Sequence, residues 1–363
     1  MSDRCPQGVD RFGCLPAIGR DVDFTGLSAT MRRWARRCIS VSCLCIALAL
    51  ALPLFPIAIV MALIRDLRVA CGFSTTRLVC FCLVYLVCEV VGLSLALMLM
   101  LCALPLPARV EHAWLYWLQD RWTHSLFISL KVLFDLRFSV VGAEALSTGP
   151  AFVLFRHSSI ADVILPAAFV AVAHRFRVRY VTKSELLWDP CMDIVGHRLP
   201  NHFVDRQSPS EADMEKISHL ARGLGPREAV VLYPEGTRFS PAKKARIMAR
   251  FRERGDTRML GYAESLQHTL PIRPRGTLVL LEADPNVDVV VCVHRGLEPA
   301  GVLGQVLKGA LVGADIRLEF WRFSAKDIPR DEVARVTWLN ELWQRVDQWV
   351  AREVRADAAN QKR

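Results

Sequence analysis

The 363-residue chain contains no C-x-x-C pair and no Cys/His cluster at zinc-ligand spacing, which argues against a zinc-organised fold. Its 12 cysteines are unpaired in pattern: all but Cys191 and Cys292 lie at or before Cys102, and Cys43, Cys45, Cys80, Cys82 and Cys88 sit inside apolar runs, where free buried thiols are expected. No G-x-S-x-G elbow surrounds a serine, so a hydrolase built on Ser158 or Ser159 is disfavoured. There is no internal repeat, and no low-complexity segment beyond a polar tail at 356–363. The most informative absence is of charge. Residues 41–64 carry none, and only Glu89 interrupts a second apolar run from 78 to about 106.

Hydrophobic residues make up 52% of the chain and mean hydropathy is +0.26, yet the formal charge is +10, so apolar and basic residues must be segregated. A basic protein can bind nucleic acid or an anionic membrane. The aromatics cluster directly after the apolar runs rather than in a soluble basic groove, which favours membrane lipids as partners over nucleic acid. The first run would be about 36 Å long as a helix, enough to cross a bilayer core. Pro53 and Pro56 would kink it, and Arg32, Arg33, Trp34, Arg36 and Arg37 flank it at the interface. A signal peptide competes with this reading, but no small-residue cleavage site comes before Arg65. Glu89 in the second run is expected to contact the other helix.

These features divide the chain into a polar basic tail (1–40), a membrane helical hairpin (41–106), an interfacial helix (107–137), a catalytic-type α/β domain (138–352) and a polar tail (353–363). An inside-out-inside crossing is expected for the hairpin, with a hairpin dipping into one leaflet as the alternative. In 107–137, Trp114, Tyr116, Trp117 and Trp122 interleave with charges, as in a helix lying at the interface or one packed amphipathically on the next domain. Beyond 138, short apolar runs at 151–155, 177–181, 229–233, 277–281, 287–293 and 316–321 read as strands. The stretches after Asp162, Ser210, Pro241 and Asp331 read as helices. The fold class expected is α/β, a mixed central sheet with flanking helices, preceded by a transmembrane or membrane-embedded hairpin.

The chemistry concentrates where strands end. The run 152–155 delivers His157 into a turn, and Asp162 lies in the first helical turn beyond it. From there a carboxylate can reach back to one imidazole nitrogen, fix the tautomer and leave the other to act as a base. A His and an Asp five apart also occur by chance, so the pair gains weight only from the polar clusters downstream. Arg206 ends the cluster Asn201-His-Phe-Val-Asp-Arg206 and could fork a phosphate, or simply pair with Asp205. Val230-Val-Leu-Tyr-Pro-Glu-Gly-Thr-Arg238 terminates a strand at Pro234 and projects Glu235 and Arg238 around a glycine turn. Lys183 is a further cation at a strand end, or a solvated lysine. Arg273 and Arg275 stand in a proline-stiffened loop that is a substrate wall or merely a turn.

In order and spacing, His157-x-Ser159-x-x-Asp162, Phe203-Val-Asp-Arg206, Pro234-Glu-Gly-Thr-Arg238 and Leu270-Pro-Ile-Arg-Pro274 resemble the four sequence blocks of the glycerolipid acyltransferases, most closely the 1-acylglycerol-3-phosphate acyltransferases. The resemblance spans about residues 138–350. It implies that His157, oriented by Asp162, deprotonates a glycerol hydroxyl as it attacks an acyl thioester, with no acyl-enzyme. It also implies that Arg206, with Lys183 and Arg238, holds the acceptor's phosphate. Glu235 would bind the glycerol backbone, and Gly236 and Thr237 would complete that wall. Thioester oxyanion donors would come from backbone N–H groups near Gly236 or the turn after His157. Acyl-CoA or acyl carrier protein would be the donor, a lysophospholipid the acceptor, and no cofactor or metal is implied. The domain would face the cytoplasm from an integral membrane anchor, in the plasma or inner membrane if the cell is bacterial. Two departures, Arg156 where the family usually has Asn and Asn201-His202 where Gly and an aliphatic residue are common, bear on which acceptor is bound.

Overall fold

The computed structural model describes residues 24–205 and 210–360. Three long helices come first: α1 (Phe24–Val69), α2 (Ser74–Ala103) and α3 (Ala108–Leu133). Then come β1 (Arg137–Val141), β2 (Ala151–Phe155), β3 (Arg177–Lys183), α4 (Pro190–Ile194), β4 (His202–Val204), α5 (Glu211–Ala221), β5 (Glu228–Leu232), α6 (Pro241–Glu253), α7 (Thr257–Ser265), α8 (Pro274–Ala283), β6 (Asp288–Arg295), α9 (Leu303–Leu307), β7 (Asp315–Phe323) and α10 (Glu332–Asn360). The residues 24–40, expected as tail, therefore continue the first apolar helix, and α10 runs into the expected C-terminal tail.

The strands form one seven-stranded sheet in the order β1-β7-β6-β2-β5-β3-β4, parallel except where β7 runs against β6. A strand buried on both faces needs apolar residues throughout, and all five residues of β2 are fully buried. On one face Phe152, Leu154 and Val291 pack with Ile217, Leu280 and Trp343 of α5, α8 and α10. On the other, Val153, Phe155 and Val290 pack with Leu165, Val170 and Leu130. The mixed α/β fold expected from sequence is present, but residues 277–281 lie in α8 rather than in a strand. Pro274 starts that helix at its first turn, and Thr277, Leu280 and Leu281 line its buried side with helical spacing. A short apolar run fits either period, and the proline decides it.

α1 and α2 are each apolar and long enough to cross a membrane. Ile46, Leu50, Leu54, Ile57 and Met61 of α1 are exposed, leaving an apolar face for lipid. The hairpin is also fastened to the α/β domain at both of its ends. At the turn, Asp66 accepts from Thr76 N–H (2.8 Å) and Thr75 N–H (3.2 Å), capping α2, while Arg65 donates to the Leu307 carbonyl (3.3 Å) and Ser74 to that of Val306. At the far end Arg36 and Arg37 grip the buried carboxylate of Asp193 at 2.9 and 3.2 Å. Between them Glu89 accepts from Trp122 Nε1 at 3.0 Å and is fully buried. The sequence suggested a contact with the other helix of the hairpin; Glu89 instead faces α3, because the Trp122 indole supplies the donor its buried carboxyl needs. α3 carries its apolar stripe (Leu115, Leu118, Phe127, Leu130) inward, so it is packed on the domain.

Burial alone would raise the Asp193 carboxyl, but hydrogen bonds from His197, Arg37 and Arg36 hold it at about 2. A folded-state value below the unfolded one of about 4 gives stability that is present above that pH and lost as pH falls towards 2. Asp193→Ala leaves two half-buried arginines without their partner and is expected to cost about 3 kcal/mol. Thermal unfolding in detergent between pH 2 and 7 checks this, the variant losing most of the acid-side dependence seen in the wild type.

Candidate active site

β2 ends at Phe155, and the chain leaves the sheet at its carboxyl edge carrying Arg156, His157, Ser158 and Ser159. A single 3-10 turn, Ala161–Ile164, then brings Asp162 back beneath them. Its carboxylate is fully buried and accepts from the amides of Ser158 (2.5 Å) and Ser159 (2.7 Å) and from Ser159 Oγ (2.5 Å). The same oxygen that takes the amides lies 3.3 Å from His157 Nδ1. Burial pushes this carboxyl upward, but the His294 imidazole, the His157 hydrogen bond and Ser159 outweigh it and hold it at about 2. Asp162 is therefore ionised at neutral pH and oriented by these donors. Because its partner on His157 is Nδ1, the ring presents Nε2 as the proton-accepting atom. Tyr233, from the end of β5, lies with its ring 4.8 Å from that imidazole and donates to the Asp162 carbonyl at 3.2 Å.

Glu235 is 2% exposed and accepts from His157 N–H (3.0 Å) through one oxygen and from Leu270 N–H (2.9 Å) through the other. It ties the histidine turn to the fourth block, each of its oxygens accepting from one backbone amide. Burial raises its carboxyl to about 7 against the lowering pull of Arg156 and the two amides. Gly236 occupies the left-handed region (φ 68°), which favours glycine, and a Cβ there would press on the Arg273 side chain at 3.0 Å. Its amide donates to the Tyr233 carbonyl at 2.9 Å, and those of His157, Ser158 and Ser159 are spent on Glu235 and Asp162. The amides expected to serve a thioester oxyanion are thus used within the protein.

These residues sit inside a region with known relatives. Residues 137–270 match the family model described as Acyltransferase. A solved structure, the crystal structure of the 1-acyl-sn-glycerophosphate (LPA) acyltransferase PlsC from Thermotoga maritima, is similar over 72% of this chain and 97% of that chain, at 14% identity and a TM-score of 0.43. No curated protein is significantly similar to the chain.

The α/β domain places Lys183 and Arg238 around the same edge of the sheet. Lys183 is the last residue of β3, and Arg238 lies just past the Gly236 turn; both are half-buried. Thr237 Oγ1 accepts from Lys243 Nζ at 2.9 Å, which also bonds the Arg238 carbonyl at 3.0 Å. Arg206 lies outside the described residues. A cavity of about 110 Å³ opens at the ends of β3, β4 and β5, lined by Thr182, Val204, Tyr233, Gly236, Arg273 and Arg275. Arg273 and Arg275 both line it, and Arg275 is also paired with Glu211. A larger cavity, about 670 Å³, lies beyond Arg156 against His268, Arg295 and Arg317. Arg317 and Arg295 are already paired there with Asp357, and Arg317 also with Glu353.

Arg156 and Asn201, the two departures from the family pattern, have internal partners. Arg156 is 1% exposed and donates to the His294 carbonyl (2.7 Å), Glu298 (2.7 Å) and the His268 carbonyl (3.1 Å). Asn201 accepts from Tyr180 N–H (2.8 Å) and donates to the Gly196 carbonyl (3.1 Å). Both brace backbone rather than point at an acceptor. Tyr233 and His294 belong to the site although no sequence motif singles them out as functional. The one available signal is a histidine directly after the apolar run 289–293, since a fully buried polar residue needs a reason. Among the described residues no group of three or more His, Cys, Asp or Glu side chains is placed to hold a metal ion.

Proposed function

We propose that the protein transfers a fatty acyl chain from acyl-CoA or acyl carrier protein to lysophosphatidic acid, giving phosphatidic acid. The observation that carries this reading is the His157–Asp162 pair at the end of β2, within a domain of acyltransferase type. His157 Nε2 takes the proton of the glycerol hydroxyl as its oxygen attacks the thioester carbon. The tetrahedral species collapses with the thiolate leaving, and the proton on His157 passes to that sulfur. Asp162 fixes the ring and stabilises the transient imidazolium. Lys183, Arg238 and Arg206 are assigned to the acceptor's phosphate. Arg273 is added to them because it lines the cavity at the strand ends.

The hairpin keeps this site at the membrane, where both lipids reside. Its attachment to the domain at both ends supports the arrangement in which it enters one leaflet, with the domain on the cytoplasmic side where acyl donors are made.

Purified protein in detergent, given labelled acyl-CoA or acyl carrier protein and a panel of lysolipids, tests the reading. Product from lysophosphatidic acid is expected, and Arg238→Ala is expected to raise the KM for that acceptor about tenfold or more with a smaller effect on acceptors that lack a terminal phosphate. Product only from another lysophospholipid would move the acceptor and keep the chemistry. No product from any pair would overturn the proposal in favour of a lipid-binding role.

A further inference from the structure

His294 closes β6 and is fully buried. Its Nε2 lies 2.9 Å from the Arg156 carbonyl oxygen and 3.7 Å from Asp162 Oδ2. Both facing atoms are acceptors, so Nε2 carries the hydrogen. Nδ1 is buried with no hydrogen-bond partner among the described residues. A buried imidazole with one nitrogen unmet is costly and calls for a reason. Packing alone does not supply it, because an apolar residue would fill the position without that cost.

Resting on the reading of His157 as base, we propose that His294 is a positioning residue for the His157–Asp162 pair, its Nε2–H holding the carbonyl of the peptide that carries His157 and setting its positive end beside the Asp162 carboxylate. Asp162 then lies between two imidazoles, His157 at 3.3 Å and His294 at 3.7 Å. The His294 Nε2–H is spent on the Arg156 carbonyl, but its positive end lies close enough to Asp162 Oδ2 to offset part of the carboxylate's charge. Less of that charge is left to stabilise the His157 imidazolium, and His157 stays neutral to lower pH than it would beside an unshared aspartate. The charged and titratable groups facing this cluster come from several elements. Arg156 and His157 are on the turn after β2, Asp162 on the 3-10 turn and Glu235 after β5. Glu298 lies just beyond β6, and the buried Cys292 precedes His294 on the same face of β6. Across the ladder on β7 the neighbour is Leu318, which carries no charge.

The test tracks the His157 imidazole directly, by NMR titration of ring-labelled histidine in detergent-solubilised protein, with the pH profile of acyl transfer alongside. His294→Phe is expected to move the His157 titration and the acid limb of kcat/KM upward by about half a pH unit or more. Its kcat is expected to fall about tenfold because the Arg156 peptide loses its donor. His294→Gln, whose amide N–H can reach the same two oxygens, is expected to restore both. If His294→Phe does not fold, His294→Asn, whose shorter amide falls short of them, must show the same upward shift. An unchanged His157 titration in the variant that folds overturns the proposal. Absence of acyl transfer by the wild type with the shift still present would overturn the reading of the reaction and leave the role of His294 standing.

Discussion

His157→Ala is expected to lower acyl transfer by about 10²–10⁴-fold while leaving the fold intact. The imidazole stands at the end of β2 with an ionised, fully buried partner behind it. Asp162 keeps its four Ser158 and Ser159 hydrogen bonds in the variant, so the turn does not lose its clamp. The fall should therefore appear in kcat and not in the melting temperature. Steady-state kinetics with saturating acyl donor, together with thermal unfolding, separates the two. A variant that keeps more than a tenth of wild-type kcat would remove His157 from the chemistry. Asp162→Ala would be the poorer experiment, since it leaves those donors without an acceptor and confounds catalysis with folding.

The second large effect is expected at Glu235, where the loss is structural first and kinetic as a result. Glu235→Ala strips the acceptor from two buried amides, at about 1–3 kcal/mol for each, and leaves Arg156 with less opposing charge. Glu235→Gln is not a mild change either. Its amide nitrogen would have to face one of the two N–H groups that the carboxylate accepts, so donor meets donor. Both variants are expected to melt lower, by about 2–4 °C per kcal/mol lost, and to lose about tenfold or more in kcat as the His157 peptide shifts. The carboxyl is raised to about 7, so its folded form binds a proton more tightly than the unfolded chain does. That contribution to stability is present below about pH 4.5 and lost as pH rises through 7. The wild type should consequently show a decline in melting temperature across this window that Glu235→Gln lacks. A Gln variant with wild-type stability and kcat would show that the two amides do not need the carboxylate.

Much of the fold was legible because its physical cause is local. The five apolar residues of 151–155 can be buried on both faces and form β2 as read. Ser210 before Glu211 and Asp213 makes a capping box, and α5 starts there. Pro241 at the first turn of α6 obeys the same logic. Residues 277–281 failed because five apolar residues satisfy both periods. β1 escaped notice because only Phe138 among its five residues is not exposed, so it carries no apolar alternation to see. The site divided along the same line. The His157–Asp162 contact spans five positions and a turn, and the spacing anticipated it once the downstream clusters gave the pair weight.

The contacts that give Glu235 and His294 their places could not be anticipated. They join residues 78 and 138 positions apart, reaching the histidine turn from β5 and β6, and nothing local encodes them. By itself the sequence determined where charge is absent long enough for a membrane helix, which runs are buried, and that a histidine and an aspartate share one turn. Each of these is a matter of neighbours along the chain. Only the tertiary structure decided that Glu235 ties His157 to Leu270, that His294 bonds the Arg156 carbonyl beside His157, and that both ends of the hairpin grip the domain. The reason is the strand order: β2 lies between β6 and β5, so residues leaving the ends of those two strands meet on either side of His157, whatever their distance in sequence.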